Sequence, residues 1–410
     1  MAIIQVRAQV NGIWYALTYD TAQRCYVAEI PAGETSADQP GGWYNVTVEA
    51  SNDAGNTASI GGESLSSLRL VVKDLTAPTV TLISPPQGYL TTAAPSIIAD
   101  LTDESSGVDI TTLAVTIDGK PESSVTTEAI AGGCRATISP TLADGFHTVD
   151  IAVNDQDGNT GTLELLYTVD TVPPELVVWD HRLVVDDEMV LIQGIAHDSA
   201  GVSITASTGK WTGNTAPATD GSWRLSVPLG VGVNEITVTA TDGAGLTASW
   251  TGKVVRMITD RVQADLDALN AILRRFAAGT ETEADWAAVN SPTQRGAYNN
   301  TDLNRVGAAV ALLTESLNAQ GYHLITSPKT DWAEADIPTE TPIETYLQNV
   351  ETIFRARLVQ TPYITLPASM SGLKLEGANH IEWALVCVDE MTPVVKKSYI
   401  YSGEAFCGEF

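Results

Sequence analysis

The chain is short of the residue types that most chemistry depends on. Its four cysteines (Cys25, Cys134, Cys387, Cys407) lie far apart with no Cys-x-x-Cys pair. That spacing argues against a zinc ribbon or a disulfide framework and fits thiols kept reduced. Cys387 and Cys407 share a predicted domain and form the one pairing to consider. The five histidines (His147, His181, His197, His323, His380) are scattered. None sits in a His-Glu-x-x-His pair, and there is no Gly-x-Ser-x-Gly elbow or Walker loop. A glycosidase would need paired carboxylates on a barrel or superhelix, which the patterning does not suggest. The expectation is a protein without catalytic residues or cofactor.

Positive charge is scarce too. Twenty-two basic residues face fifty acidic ones, for a formal charge of −28. Such a field repels phosphate backbones and anionic lipid, so neither nucleic acid nor membrane insertion is expected. No run of about eighteen apolar residues exists to span a bilayer. Met1 to Arg7 enters strand alternation directly, without a basic segment followed by an apolar one, so no secretory leader is expected.

What is present is a hairpin written three times. Val46 to Ser59, Val149 to Thr162 and Ile236 to Ser249 each read as an alternating strand, an Asn/Asp-x-x-Gly turn, and a second strand. Period-two alternation puts one face on a core and the other in water. The turn acid or amide can bond its own backbone, while glycine accepts positive φ. The copies recur at about one β-sandwich each.

The joins are written as Asp74-Leu75-Thr76-Ala77-Pro78 and Asp170-Thr171-Val172-Pro173-Pro174. Proline removes a ladder donor, so each join closes one sheet and starts the next. The predicted domains are 1–74, 75–170 and 171–257, each a sandwich, with a helical domain over 258–410. Short joins predict a semi-rigid rod. In the first module, Asn11-Gly12 between alternating runs marks a hairpin. Trp223, alternating with Leu225 and Val227, is expected in the core. Asp-x-Ala-Gly-Val at Asp198 and its one-residue-longer counterpart Asp-x-Ser-Ser-Gly-Val at Asp103, Gly221-Ser222-Trp223 and the terminal Asp-x-x-Gly hairpin resemble bacterial Ig-like repeats. The resemblance implies an Ig-like fold over roughly 1–257 and says little about function.

After Arg256 the periodicity becomes helical. Thr259-Asp260 is expected to cap a helix carrying Val262, Leu266, Leu269, Ile272 and Leu273 and ending near Gly279. A short helix follows Thr282. Asn300-Thr301-Asp302 should cap another that stops at Gly321. Further helices are expected over Thr341 to Leu358 and Leu375 to Met391, with Val394 to Phe410 returning to β as a terminal hairpin around Ser402-Gly403. Gly296 to Val306, Asp336-Ile337-Pro338-Thr339, Tyr346 to Val350, Leu375 to Glu382 and the Tyr-Ser-Gly-Glu at Tyr401 resemble a C-terminal region of phage and prophage tail proteins from Gram-positive gut bacteria.

Three sets of residues are candidates for sites. Asp100, Asp103, Glu104, Asp109, Asp155, Asp157 and Asp170 cluster near turns and joins, where calcium could be held. Solvated turn acids that bond backbone amides explain them better. Trp179 and Trp211, the latter in a polar Gly-rich loop, could stack on glycan, although partial burial at strand ends is the default. Asn304, Arg305 and Asp336 are candidate assembly contacts, with Arg305 expected to pair with Asp336 or a neighbouring subunit.

The tail-protein resemblance implies a virion structural protein of a phage tail, baseplate or tail-like particle. Its partners would be other tail subunits and copies of itself, with a host glycan or protein touched by the rod. It would be made in the host cytoplasm. The alternatives are an exported cell-surface adhesin and a non-catalytic carbohydrate-binding accessory protein.

Overall fold

A computed structural model of the chain describes residues 2–31, 33, 35–37, 39–289, 291, 293–333, 336, 340–356 and 363–406. The chain divides into two compact units, Met1–Val172 and Pro173–Phe410.

In the first unit, Ile3–Val10, Ile13–Asp20, Cys25–Val27, Thr47–Asn52 and Thr57–Ile60 form one five-stranded antiparallel sheet. Asn11 and Gly12 both take positive φ at its tightest turn, as the Asn-Gly pair predicts. The facing layer is slight: a two-residue ribbon of Tyr44–Asn45 with Arg69–Leu70. Tyr44, on this ribbon, is buried and donates to the Thr35 carbonyl. Trp43 stacks under the Arg69 guanidinium.

The next module has two full layers. Val125–Ile130, Gly133–Ile138, Ile97–Thr102 and Thr79–Ser84 make one. Val108–Ile117, Gly145–Asp155 and Thr160–Val169 are the main strands of the other, and short Gly88–Leu90 runs parallel to Thr160–Val169 at its edge. Between them lie Ile97, Leu101, Ile138, Ile151, Leu165 and Tyr167, all essentially without solvent exposure.

The second unit begins with a sandwich of the same plan. Glu175–Val178, Met189–His197 and Ser222–Pro228 face a sheet of Thr247–Arg256, Gly232–Asp242, Val202–Thr208 and Trp211–Thr215, edged by short, parallel Val184–Val185. Trp223 is buried in its core, as its alternation predicts. Helices follow: α1 (Gln263–Ala278), α2 (Glu283–Val289), α3 (Asn300–Ala319), α4 (Glu340–Arg355) and α5 (Leu375–Phe406). The fold is thus Ig-like β-sandwich in the first 260 or so residues and helical thereafter.

Three boundaries differ from expectation. Helix α1 is capped at Val262 rather than Thr259-Asp260, with the Asp265 carboxylate accepting from the Val262 amide. Thr259 instead donates to Asp186, and Asp260 pairs with Arg295. Helix α3 is capped one residue early, by Asn299, in a capping box with Asp302. The expected terminal hairpin is helix through Phe406, continuous with α5. An established helix adds a bond per residue with no further nucleation cost, which overrides the β-formers Val394, Val395 and Ile400. Cys407, the expected partner for Cys387, and Leu358 lie outside the described residues.

Candidate functional site

The three repeated turns are built alike. Asn52 accepts from the amides of Ala54 and Asn56, Asp155 from Asp157 and Asn159, and Asp242 from Ala244 and Leu246. Gly55, Gly158 and Gly245 sit three residues on with φ of 78°, 93° and 90°. Asp103 repeats the device on Ser105 and Gly107. These side-chain oxygens fold the corner by saturating amides that would otherwise lack partners.

The other acidic candidates disperse. Asp100 makes a two-pronged pair with Arg135 on the neighbouring strand, at 2.7 and 3.0 Å. Asp109 accepts from the amide and hydroxyl of Thr111, and Glu104 is exposed. Asp170 accepts from the Val172 amide. Asp157 ties the two modules of the first unit: one of its oxygens accepts from Thr35 Oγ1 and from the Asp74 amide, each at 2.7 Å. Of the seven, only Asp103 and Asp155 meet in the first unit, joined there by Asp74, which was not among the expected candidates. One carboxylate oxygen from each lies within 4.8 Å of the others. Three hard oxygens suit a cation such as calcium. Each of these carboxylates already accepts amide hydrogen bonds, and this turn chemistry accounts for their presence. Thr76 and Ser106 hold the Asp74 carboxyl below its usual range; for Asp155, burial opposes ionisation but the Asn159 hydrogen bonds outweigh it.

Trp211 stands on a strand rather than in a loop. Its indole folds over Gly213, where a Cβ would lie 2.3 Å from Cζ2, and it packs against the module core. Trp179 is 40% exposed at the end of its strand.

The densest chemistry lies where the third sandwich meets the helices. Glu382 on α5 is fully buried, and its carboxylate receives Arg261 Nη2 at 2.6 Å and Arg305 Nη2 at 2.7 Å on one oxygen. The other oxygen receives Arg305 Nε at 2.9 Å and the Ile258 amide at 2.7 Å. Asp302, also buried, completes the cluster by accepting from both guanidiniums while still capping α3. Two cations and two anions leave no net charge inside. Burial opposes ionisation of Glu382, but Arg305 and Arg261 outweigh it and hold its carboxyl below the ordinary range. For Asp302 burial wins and pushes the carboxyl up. Tyr298 and Tyr346, with hydroxyls 2.6 Å apart, close one side, and burial pushes both phenols far above their ordinary range. The cluster holds elements together.

Arg305 therefore does not pair with Asp336, nor is it available to a neighbour, being 3% exposed. Asp336 is exposed, contacts Lys329 at 3.3 Å and accepts from the Ala333 amide. Asn304 is engaged internally as well. Its amide donates to the Trp332 carbonyl at 2.9 Å and accepts from the Trp332 amide at 2.6 Å. Asn318, about four turns along α3, brackets Leu324 in the same way. Between them the segment passes over Gly307, where a Cβ would lie 2.2 Å from the Lys329 carbonyl oxygen. Asn379 on α5 brackets Arg261 likewise.

The missed residues are Arg261, Glu382, Asn379 and Asp389. For Glu382 and Asp389 the signal was an acid on the apolar face of α5, Glu382 beside Ile381 and Leu385 and Asp389 beside Val388, each demanding a buried partner.

Residues 88–171 match the family model of a bacterial Ig-like domain. No curated protein matches the chain. Among solved structures, fibronectin(III)-like modules of Clostridium thermocellum CbhA are similar at 18% identity over 43% of this chain and 94% of theirs, with a TM-score of 0.33. A fragment of titin is similar at 12% identity over 62% of this chain and 88% of its own, with a TM-score of 0.33. Latent PorU from Porphyromonas gingivalis is similar at 14% identity over 60% of this chain and 25% of its own, with a TM-score of 0.21.

Proposed function

We propose that the chain is a structural subunit of a phage tail, baseplate or tail-like particle, whose Ig-like modules are displayed and whose helical region is the anchor. The observation that carries this reading is the seam in the second unit. Stretches that resemble tail proteins supply it: Asn304 and Arg305 from one, Asn379 and Glu382 from another. Arg305, Asn379 and Glu382 join α3 and α5 to the segment that leaves the sandwich, at Ile258 and Arg261, Asn304 holds Trp332, and Asp389 ties α5 to the sandwich itself. An anchor needs such ties, because load on a displayed module must pass into its base without a hinge. Copies of the chain would assemble with other tail subunits, since closed symmetry is the rule in such assemblies and many copies raise avidity for a host glycan or protein. The chain would be made in the host cytoplasm and leave with the virion.

A cell-surface adhesin is the second reading, favoured by the bacterial Ig-like match at 88–171. The neighbouring genes separate the two. Tail-tube or baseplate genes alongside support the particle reading, and a sortase or secretion operon overturns it.

A further inference from the structure

The helical region carries a large open cleft, about 1480 Å³, bounded by the start of α1, the loop at Gly296 to Tyr298, α4 and the loop leading into α5. Leu266, Leu303, Ile343, Leu347, Leu366 and Leu373 supply its apolar lining. None of them is fully exposed, so a core surface here is left partly uncovered. On α4, Ile343 and Leu347 form an i, i+4 stripe, and Glu344 and Glu351 border it one position further round.

The volume suits a short helix. A helix with its side chains is about 10–12 Å across, so a volume of this size accommodates roughly 15 Å of it, or about three turns. The charges narrow the choice. Of the lining cations, Arg261 is held by Asp302 and Glu382, and Arg295 by Asp260 and Asp265. Glu351 is likewise paired with Arg355, so Lys374 stands against Glu344 and Glu376. The rim is acidic, on a chain whose formal charge is −28. A second copy of the chain would bring the same sign of charge to the cleft, whereas a cationic partner is drawn in.

We propose that this cleft is a docking groove for an amphipathic helix of about three turns on a partner subunit, with apolar residues at i, i+3, i+4 and i+7 flanked by lysine or arginine. This rests on reading the helical region as the anchor, and it names the chemistry of what the anchor grips.

The test is fluorescence anisotropy on the full chain in about 0.15 M salt, where long-range charge effects are screened. The probe is a labelled helical peptide of about 14 residues carrying leucine at those positions and lysine on the flanks. Saturable binding is expected, with at least tenfold weaker binding when the lysines are replaced by glutamate. Glu344→Lys with Glu376→Lys, both at exposed positions, should weaken the lysine peptide at least tenfold while the melting temperature stays put. That double change moves the formal charge only from −28 to −24 (two changes of +2 each), so a diffuse attraction to the acidic chain would hardly respond. The proposal is overturned by equal binding of both peptides, by indifference to the charge reversal, or by absence of binding. It is equally overturned by self-association that the same reversal abolishes, which would seat a second copy in the groove. If the peptide fails but the chain is still found on particles, the occupant is wrong and the anchor reading stands. If the chain is absent from particles, the anchor reading fails whatever the peptide does.

Discussion

Glu382 and Asp389 lie seven residues apart on α5, on one face of the helix; Asp389 reaches into the third sandwich and Glu382 reaches the segment that leaves it. Glu382 accepts from the Ile258 amide at 2.7 Å. Asp389 accepts from the Leu183 and Val184 amides at 3.0 and 3.2 Å and from Arg182 Nε at 2.7 Å. Contacts about two turns apart on one helix, to the sandwich and to the segment leaving it, restrict any swing between them. Val184, Val255 and Met257 of the sandwich join the same apolar core as α3, α4 and α5. The second unit should therefore unfold as one cooperative body, with no separate transition for its sandwich.

Removing the shared acid exposes that dependence. Glu382→Ala leaves two buried guanidiniums with only Asp302 between them. It should cost about 3–5 kcal/mol in urea unfolding. Asp336→Ala, at an exposed carboxylate, should leave the transition where it is. Equal effects would contradict the pairing seen here.

Gly307→Ala tests the strap that runs along α3. A methyl group would sit 2.2 Å from the Lys329 carbonyl oxygen, so either the strap lifts or α3 shifts. The expected cost is about 1–3 kcal/mol, read from the same denaturation curves. Loss of protection at the Trp332 and Leu324 amides in hydrogen exchange should accompany it.

Acid should weaken the second unit in two stages. His181 rests edge-on against Trp250, with ring centroids 5.2 Å apart, and its Nε2 is buried without a hydrogen-bond partner among the described residues. Burial holds its pKa below the ordinary value, against the Trp179 carbonyl and nearby Asp389. A lowered folded pKa means stability that is present above about pH 6.5 and is lost as pH falls through the folded value. Glu382, also lowered, adds a loss below roughly pH 4.5, opposed there by Asp302 and Asp389, whose carboxyls burial pushes up. The urea midpoint of the wild type should fall between pH 7.5 and 5.5 by more than that of His181→Phe. Parallel slopes would contradict this.

In the first unit the two Asp residues of one turn should behave differently. Asp155→Ala removes the acceptor for two turn amides and should destabilise its module by about 1–3 kcal/mol. Asp157→Ala should leave the module's own melting nearly unchanged while loosening its tie to Thr35 and Asp74, seen as greater hydrogen exchange at the Asp74 amide.

The Ig-like turns were legible in the sequence because their chemistry is local. Asp155 needs only the amides two and four residues on, so spacing alone specifies the corner. Arg305 was legible as a group requiring a carboxylate, but its partner Glu382 lies 77 positions away. Asp336 was nearer in sequence, yet Lys329 and the Ala333 amide hold it locally. Asn304 looked free because bracketing a loop residue's backbone leaves no pattern in the chain. The end of α5 was misread for a related reason: Ser402-Gly403 between β-formers is a turn signal, but the helix arriving from Leu375 was already nucleated.

The helical region is proposed to be an anchor seated in a particle, with the Ig-like modules left accessible. Immunogold electron microscopy of intact and dissociated particles tests it most directly, with antibodies raised separately against residues 79–169 and 263–355. The account predicts gold on the tail or baseplate of intact particles with the first antibody, and with the second only after dissociation. Gold on the cell envelope and none on particles, or equal access of both antibodies to intact particles, would contradict it.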